Sequence, residues 1–538
     1  MLLGKPFAAV RVTRRLVALA LAVAAACYSC SRAGQQIAPA HVLRIADGSD
    51  PSSLNPLLAV DQDTMGFDLL FAQTLVGLSA GNRLVPILVS RVPSRTNGDI
   101  SRDGRTIIYH LRRNVRFADG RPLTSADVSF TFRAIIDPRN PVLGADAYRH
   151  IAALTAPNAS TIVVRLRSPW NAAVRELFAE SDFAFGILPS HAFKSTVMEN
   201  ASWEEHAFGT GPFRVLEWKR GDRVLLTPNP YFSPRPKLER IELRMIPDPN
   251  AALGAERTGA IDLARITTDQ VGEASSVRTL RVAATDINGV DYIALQSSTA
   301  PTDDLHVRRA IAYALDVSLI ERARHRLLAR AASFLPPTFA WHDSRLALID
   351  RNEAEAAAEL DRAGWHLTHG VREKEGVPLE LQLVRGIGAS VKSSLIVQRQ
   401  LAAAGISATI KAFPPAAFDG PDGPLRTGRF NLAFVMWIGG ADPEQSVFFA
   451  CSQIGPNGNN TQRFCDPAFD AKFRDQADTS SELRRHKDFL IMQRIIYDRL
   501  PILPLDYIRF FDVTSARVTG FARNMLGFPV GAESWDTK

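Results

Sequence analysis

The sequence predicts an α/β fold with a parallel sheet, and two observations support that prediction. First, residues 379–413 contain a strand pattern, a helical pattern and a second strand pattern in the order of a β-α-β unit. Apolar residues alternate from Leu379 to Leu383, a helix is expected over Ser390–Ala404, and alternation returns over Ile406–Phe413. Second, an apolar run follows at Phe430–Trp437, which we interpret as a further strand of the same sheet.

The run Phe430–Trp437 also predicts a ligand site. Seven of its eight residues are apolar, which suits a strand covered on both faces, and Gly439 and Gly440 then end it. In open α/β sheets, ligands bind beyond the carboxyl ends of the strands. We therefore expect Trp437, at the strand's end, and Asp442, on the loop beyond it, to line a ligand site. The alternative is a core tryptophan beside a surface turn.

Two helices outside this region are predicted from local patterns. Thr124 followed three residues later by Asp127 resembles a capping box, so a helix should begin there. A longer helix is predicted over Arg308–Arg330, because apolar residues recur every four positions from Ile311 to Leu319.

Composition argues for an ordinary globular protein. The chain has 538 residues, enough for several domains, with 22% charged and 8% aromatic residues. Its net charge is +7, but four of these charges, Lys5, Arg11, Arg14 and Arg15, precede Cys27 without any acidic residue, so the remainder carries +3. With no Lys/Arg-rich run, nucleic acid is not an expected partner.

The first residues have the anatomy of an export signal. A basic region is followed by eleven apolar residues, Leu16–Ala26, which are too few to span a bilayer permanently. Residues 1–26 are therefore interpreted as the signal. Three alanines before Cys27 resemble a bacterial lipobox, so Cys27 is a candidate for lipidation, with residues 27–41 as a tether. The alternative is simple cleavage nearby, which would release a soluble protein.

Two cysteines near the C-terminal part predict a disulfide. Cys451 and Cys465 flank a loop rich in glycine and asparagine, and in an exported protein such a pair closes a surface loop. Metal ligation is the weaker interpretation, because no histidine lies in the loop or close beside it. No metal site is predicted elsewhere.

A set of motifs occurs in one order along the chain. They are HLRRNVRFADGRPLTSADVSFTF (110–132), GTGPF (209–213), NPYF (229–232), GAID (259–262), VRRAIAYALDVSLIE (307–321) and LPILPL (500–505). Together they closely resemble the extracytoplasmic solute-binding proteins of peptide-type ABC transporters, family 5, over residues from about 42 to 522. Turns, caps and apolar faces account for each motif alone, but not for their shared order.

The resemblance implies a two-lobed periplasmic-binding-protein fold whose large N-terminal lobe is discontinuous and joined to the second lobe by hinge strands. Lobe I would comprise residues 42–285 and the return segment 501–538, and lobe II residues 286–500. The chain would cross between the lobes near 287–295 and 502–510.

The resemblance also implies that the protein binds a solute without changing it chemically. The protein would capture a small solute, with di- or oligopeptides favoured, and deliver it to the permease of an ABC importer. In peptide-binding relatives, an Asp three residues after the tryptophan pairs with the peptide's α-ammonium; here that position is Gly440, and the nearest carboxylate is Asp442. Either Asp442 is the anchor or the ligand lacks a free amine there. The loop between Cys451 and Cys465, in contrast, resembles that of the dipeptide-binding branch of the family, which favours a peptide ligand.

Other classes stay open at this point. Oligosaccharides, opines or chelated nickel are alternative ligands, and a sensory or chaperone-like protein on the same scaffold is an alternative function. An enzyme is not expected, because the sequence has no G-x-S-x-G, H-E-x-x-H or P-loop motif. No cofactor is expected, and the protein is expected to act as a monomer.

Overall fold

A computed structural model describes residues 40–198, 203–323, 327–387, 391–420, 422–443, 448–455, 458–479 and 481–538. The predicted export signal (1–26), Cys27 and the tether up to residue 39 lie outside the described residues.

The strands are numbered along the chain. They are β1 (Val42–Asp47), β2 (Val76–Leu78), β3 (Leu84–Pro86), β4 (Thr106–His110), β5 (Ile151–Asn158), β6 (Thr161–Leu166), β7 (Phe213–Lys219), β8 (Arg223–Pro228), β9 (Arg240–Met245), β10 (Leu263–Ile266), β11 (Leu280–Leu295), β12 (Ala329–Arg330), β13 (His366–Thr368), β14 (Val371–Lys374), β15 (Val377–Pro378), β16 (Glu380–Gly386), β17 (Ser407–Phe413), β18 (Leu432–Ile438), β19 (Ile502–Ser515), β20 (Val518–Thr519), β21 (Ala522–Arg523), β22 (Pro529–Val530) and β23 (Asp536–Thr537).

The helices are numbered in the same way. They are α1 (Gln62–Asp68), α2 (Ser125–Ile136), α3 (Ala173–Glu176), α4 (Pro249–Arg257), α5 (Val271–Ser276), α6 (Leu305–Ala314), α7 (Val317–Ala323), α8 (Glu353–Arg362), α9 (Val391–Ala403), α10 (Pro415–Phe418), α11 (Pro424–Thr427), α12 (Pro467–Asp478) and α13 (Glu482–Arg499). Among the residues that the structure describes, none of the helices is both long and apolar enough to cross a membrane.

One mixed sheet runs through the whole molecule in the order β17-β16-β18-β11-β19-β10-β1-β9-β8-β7, with β12 added on β19. Its centre is the antiparallel pair β11 and β19, both unusually long. At one end, β11 pairs with β18 over residues 289–295; at the other, β19 pairs with β10 over residues 511–514. These two strands therefore join the two halves of the sheet.

The predicted β-α-β unit is confirmed. β16 and β17 are parallel along their whole length, and α9 connects them. β18 pairs in parallel with β16 at residues 432–433, as expected of the apolar run. The carboxyl ends of these three strands therefore point the same way, and Trp437 lies at the end of β18.

The capping box at the start of α2 is also confirmed. The Thr124 side chain accepts a hydrogen bond from the Ala126 amide, and the Asp127 carboxylate accepts one from the Thr124 amide at 2.8 Å. These bonds satisfy amides that the first turn of a helix would otherwise leave without partners.

The single long helix predicted over Arg308–Arg330 is wrong. α6 ends at Ala314, Leu315 is extended, and α7 begins at Val317. The break has a local cause in Asp316, whose carboxylate accepts hydrogen bonds from the Ser318 amide at 2.9 Å and from the Ser318 hydroxyl. A short acidic side chain that bonds to the backbone ahead of it starts a new helix rather than continuing an old one.

The lobe boundaries at 285/286 and 500/501 stay predictions. β11 passes through the first of them without interruption, and its pairing with β19 shifts register between Asp286 and Val290. An apolar core also connects the two halves: Met65, Leu78 and Ala184 from the first part of the chain belong to the same buried cluster as Phe430 and Phe449. The site described below lies beside that cluster.

Candidate ligand-binding site

Trp437 forms an apolar wall at the end of β18. Its position is set by antiparallel pairing with Val290 of β11. The indole is half-buried and packs against the Phe448 ring, with the ring centroids 4.6 Å apart and the rings tilted by 58°. Because the two rings hold each other in place, the indole face that does not contact Phe448 is a rigid aromatic surface for a ligand.

Gly439 and Gly440 are held by one buried asparagine. The Asn288 carbonyl accepts a hydrogen bond from the Gly439 amide at 2.7 Å, and the Asn288 side-chain amide donates to the Gly440 carbonyl at 2.6 Å. The backbone amide of Asn288 donates to the Met525 carbonyl at 2.7 Å. Asn288 lies within the register shift of β11, so this irregularity of the strand is what positions the glycine turn.

Asp442 lies in a buried ion pair. Its carboxylate accepts two hydrogen bonds from the Arg485 guanidinium, one of them 2.8 Å long, and its side chain is fully buried. Arg485 also donates to the Gln476 side chain at 2.9 Å, and its guanidinium faces the Trp341 ring at 5.1 Å. This bidentate pair braces the loop after β18 against α13.

A second carboxylate, which sequence analysis did not identify, faces Gly440. A Cβ atom added to Gly440 would lie 2.7 Å from Oδ1 of Asp182 and 3.3 Å from the Asp182 amide nitrogen. The Asp182 side chain therefore occupies the space that a side chain at position 440 would need. Asp182 belongs to the first part of the chain and Gly440 to the part after β11, so the two halves of the molecule meet here.

The electrostatic surroundings of Asp182 disfavour its charged form. Asp182 keeps part of its surface exposed to solvent, while its carboxylate lies against Gly440. Desolvation by these surroundings, and then the negative charge of Asp442, raise the pKa of Asp182 to about 7. Arg175, which like Asp182 comes from the first part of the chain, lies 3.9 Å from the Asp442 carboxylate.

Glu180, two residues before Asp182, has a different role. Its carboxylate accepts hydrogen bonds from the Leu78 amide at 3.0 Å and from the Asn524 side chain at 3.1 Å. Desolvation raises the pKa of Glu180 to about 7 in spite of these bonds. The Glu180 carboxylate thus ties β2 to the C-terminal segment, whereas that of Asp182 faces Gly440.

The predicted disulfide between Cys451 and Cys465 is present. Inside the loop that it closes, the Asn460 side chain donates to the carbonyls of Ala450 and Phe464, at 3.0 and 2.7 Å. Next to it, the Gln462 side chain donates to the Phe448 carbonyl at 2.6 Å. The loop therefore supports the residue that packs on Trp437.

The predicted site residues Trp437, Gly439, Gly440 and Asp442 thus lie together at the end of β18, and the structure adds three residues from elsewhere in the chain: Asp182, Asn288 and Arg485. A separate cavity of about 860 Å³ is lined by residues of the first part of the chain, among them Arg112 and Tyr231, and by Glu533 of the C-terminal segment. Within the described ranges, no group of three His, Cys, Asp or Glu residues is placed to hold a metal ion.

Comparison with known proteins shows the family of the chain. The sequence profile described as "Bacterial extracellular solute-binding proteins, family 5 Middle" matches residues 83–459, well over half of the chain. The chain belongs to this family. Its members bind solutes and are not enzymes, and they act outside the cytoplasm.

Individual family 5 relatives differ in the ligands that they are named for. The chain is 26% identical to the nickel-binding periplasmic protein of Escherichia coli K12, over 86% of this chain and 88% of that protein. It is also 26% identical to the probable di/tripeptide-binding protein 5 of Pseudomonas aeruginosa UCBPP-PA14, over 86% and 92%. In structure it is similar to NikZ from Campylobacter jejuni in complex with Ni(L-His), with a TM-score of 0.79, 22% identity, and coverage of 93% of this chain and 100% of that one. The fold is therefore the two-lobed fold of family 5 solute-binding proteins.

Proposed function

We propose that this family 5 protein captures a di- or oligopeptide outside the membrane and delivers it to the permease of an ABC importer. One observation carries the proposal: at the end of β18, an aromatic wall, a glycine turn with buried support and the Asp182 carboxylate converge from both halves of the molecule. An apolar surface with a few placed polar groups is the usual composition of a small-ligand site.

The closing motion follows from the position of the site beside the hinge strands. A solute that contacts Trp437 on one side and Asp182 on the other stabilises the closed arrangement over an open one, because only the closed arrangement offers both contacts. The solute leaves chemically unchanged. A similarity to the probable di/tripeptide-binding protein of Pseudomonas aeruginosa over most of both chains supports a peptide as the solute.

A chelated metal is the second candidate. It is favoured by the similarity to the nickel-binding protein of Escherichia coli over most of both chains. In that case the ligand would be a complex whose organic part contacts the cleft.

Native mass spectrometry of the freshly purified protein tests the function. We expect a non-covalently bound solute with the mass of a peptide, which is released on denaturation and rebinds unchanged. A bound metal complex or sugar would replace the peptide proposal, and a product of altered mass on incubation would contradict the receptor function altogether.

The protein would be held at the membrane by a lipid on Cys27, after removal of residues 1–26, and would act as a monomer. The lipid anchor is supported by the sequence pattern before Cys27, a residue that lies outside the described part of the chain.

A further inference from the structure

Gly440 leaves room for a side chain from another part of the molecule. This residue has no side chain, and the space next to its Cα is filled from the opposite side of the cleft by the Asp182 carboxylate, 2.7 Å from where a Cβ would be. The loop after β18 therefore contributes no carboxylate at this point of the cleft. Residues 180–184, which follow α3, contribute one instead, through Asp182.

The carboxylates around this point are not equivalent. Asp442 is bound in a bidentate manner by Arg485, and Glu180 accepts hydrogen bonds from Leu78 and Asn524. For Asp182, the structure records neither a hydrogen bond nor an ion pair with any described side chain, and the residue remains exposed to solvent. Of the three, Asp182 is thus the carboxylate available to a solute.

The electrostatics of the cleft favour a cation as the partner. Asp182 is affected by the negative charge of Asp442, whereas the charge of Arg485 is directed at Asp442 itself. A cationic group beside Asp182 would relieve the repulsion between the two carboxylates. A charge-assisted hydrogen bond between a carboxylate and an ammonium group is stronger than a neutral one and depends on geometry, which makes it selective.

We infer that Asp182 binds the primary ammonium group of the captured solute, a peptide with a free N-terminus, so that the anchoring carboxylate comes from the first part of the chain and not from the loop after β18. This inference rests on the proposed function. Asp182 would then determine the specificity for peptides. Because closure brings Asp182 against Gly440, binding of the amine and closure of the cleft would be coupled.

The test compares two peptide mixtures. One contains di-, tri- and tetrapeptides with free amino termini, and the other contains the same peptides N-acetylated. By thermal shift and calorimetry, we expect the free-amine mixture alone to bind the native protein. Asp182→Asn should weaken that binding about 10- to 150-fold, as expected for loss of a hydrogen bond to a charged group. Asp222→Asn is the matched control, because Asp222 forms an exposed pair with Lys219 in the β7–β8 turn.

A second variant tests the same contact by changing Gly440, the residue that Asp182 faces. Gly440→Ala places a methyl group within 2.7 Å of the Asp182 carboxylate and must displace it. We expect a loss of affinity for free-amine peptides like that of Asp182→Asn.

Three outcomes would overturn the inference: equal binding of acetylated peptides, full affinity of Asp182→Asn, or binding of neither mixture. The proposed function is judged separately, because a solute found by native mass spectrometry would uphold a receptor even if the peptide mixtures fail.

Discussion

Two aspartates a few ångströms from the same glycine turn differ in what surrounds them. Asp442 has a fully buried side chain held by Arg485, and Asp182 is exposed in the cleft and faces Gly440. A buried carboxylate with a bidentate guanidinium partner holds a loop in place, and removing either partner leaves an uncompensated charge. An exposed carboxylate without such a partner is suited to an exchangeable cation.

Asp442→Asn separates these roles. Because it leaves the Arg485 charge buried without its partner, we expect it to lower the free energy of unfolding by about 3–5 kcal/mol, measured by urea denaturation. The exposed control Asp222→Asn should stay within about 0.5 kcal/mol of the native protein. If stability is unchanged and affinity for free-amine peptides falls by about 1.5–3 kcal/mol, Asp442 is the peptide anchor that the sequence suggested.

The pH dependence of binding follows from Asp182. Its pKa is raised to about 7, so the carboxylate loses its charge as the pH falls through that value, and a cationic partner then binds less well. Between pH 8 and 5.5 we expect affinity for a free-amine peptide to fall up to about 30-fold by calorimetry.

The charge that acts on Asp182 is that of Asp442, which is paired with Arg485 and lies 3.9 Å from Arg175. Glu180 titrates in the same range, because its pKa is also raised to about 7. Asp182→Asn therefore serves as the reference. A flat profile in this variant assigns the pH dependence to Asp182, and an unchanged slope assigns it elsewhere.

At the scale of elements, sequence patterns predict those features of helices and strands that depend on residues close together in the chain. The strand observed at Ser407–Phe413 was expected over Ile406–Phe413, and the α2 cap was predicted from two residues, because alternation and capping are local. The long helix failed at Asp316, where a side chain bonds to its own backbone and competes with an apolar pattern that continues past it. The bulge at Asn288 left no pattern at all, since it depends on pairing with a strand far along the chain.

The disulfide loop gives a prediction at this scale. It closes 14 positions of sequence, and its residues Asn460 and Gln462 hold the backbone around Phe448 and Phe464. Replacing both Cys451 and Cys465 by serine should lower the free energy of unfolding by about 3 kcal/mol, chiefly through the added freedom of the unfolded chain. An unchanged urea midpoint in the double variant, compared with the native protein under oxidising conditions, would contradict this.

At the scale of the whole molecule, the site depends on contacts that no local pattern encodes. Trp437 and the glycine turn were predicted, because a strand end and its loop are adjacent in sequence. Asp182 lies in a separate part of the chain, more than 250 residues before Gly440, and only the folded chain brings the two residues into contact. Sequence reasoning therefore identified one wall of the cleft and missed the other.

The closure of those halves can be measured in solution. In the structure, Asp182 and Gly440 are in contact, which describes a closed cleft, and a compact chain of about 500 residues has a radius of gyration of about 23 Å. Since the contacts to a solute exist only in the closed arrangement, free-amine peptides should shift small-angle scattering of the ligand-free protein toward that value. Asp182→Asn should need a correspondingly higher peptide concentration for the same shift, whereas Asp222→Asn should behave as the native protein. Identical curves with and without a peptide that calorimetry shows to be bound would mean that capture occurs without closure, and Asp182 would then contact its ligand in a cleft that is already formed.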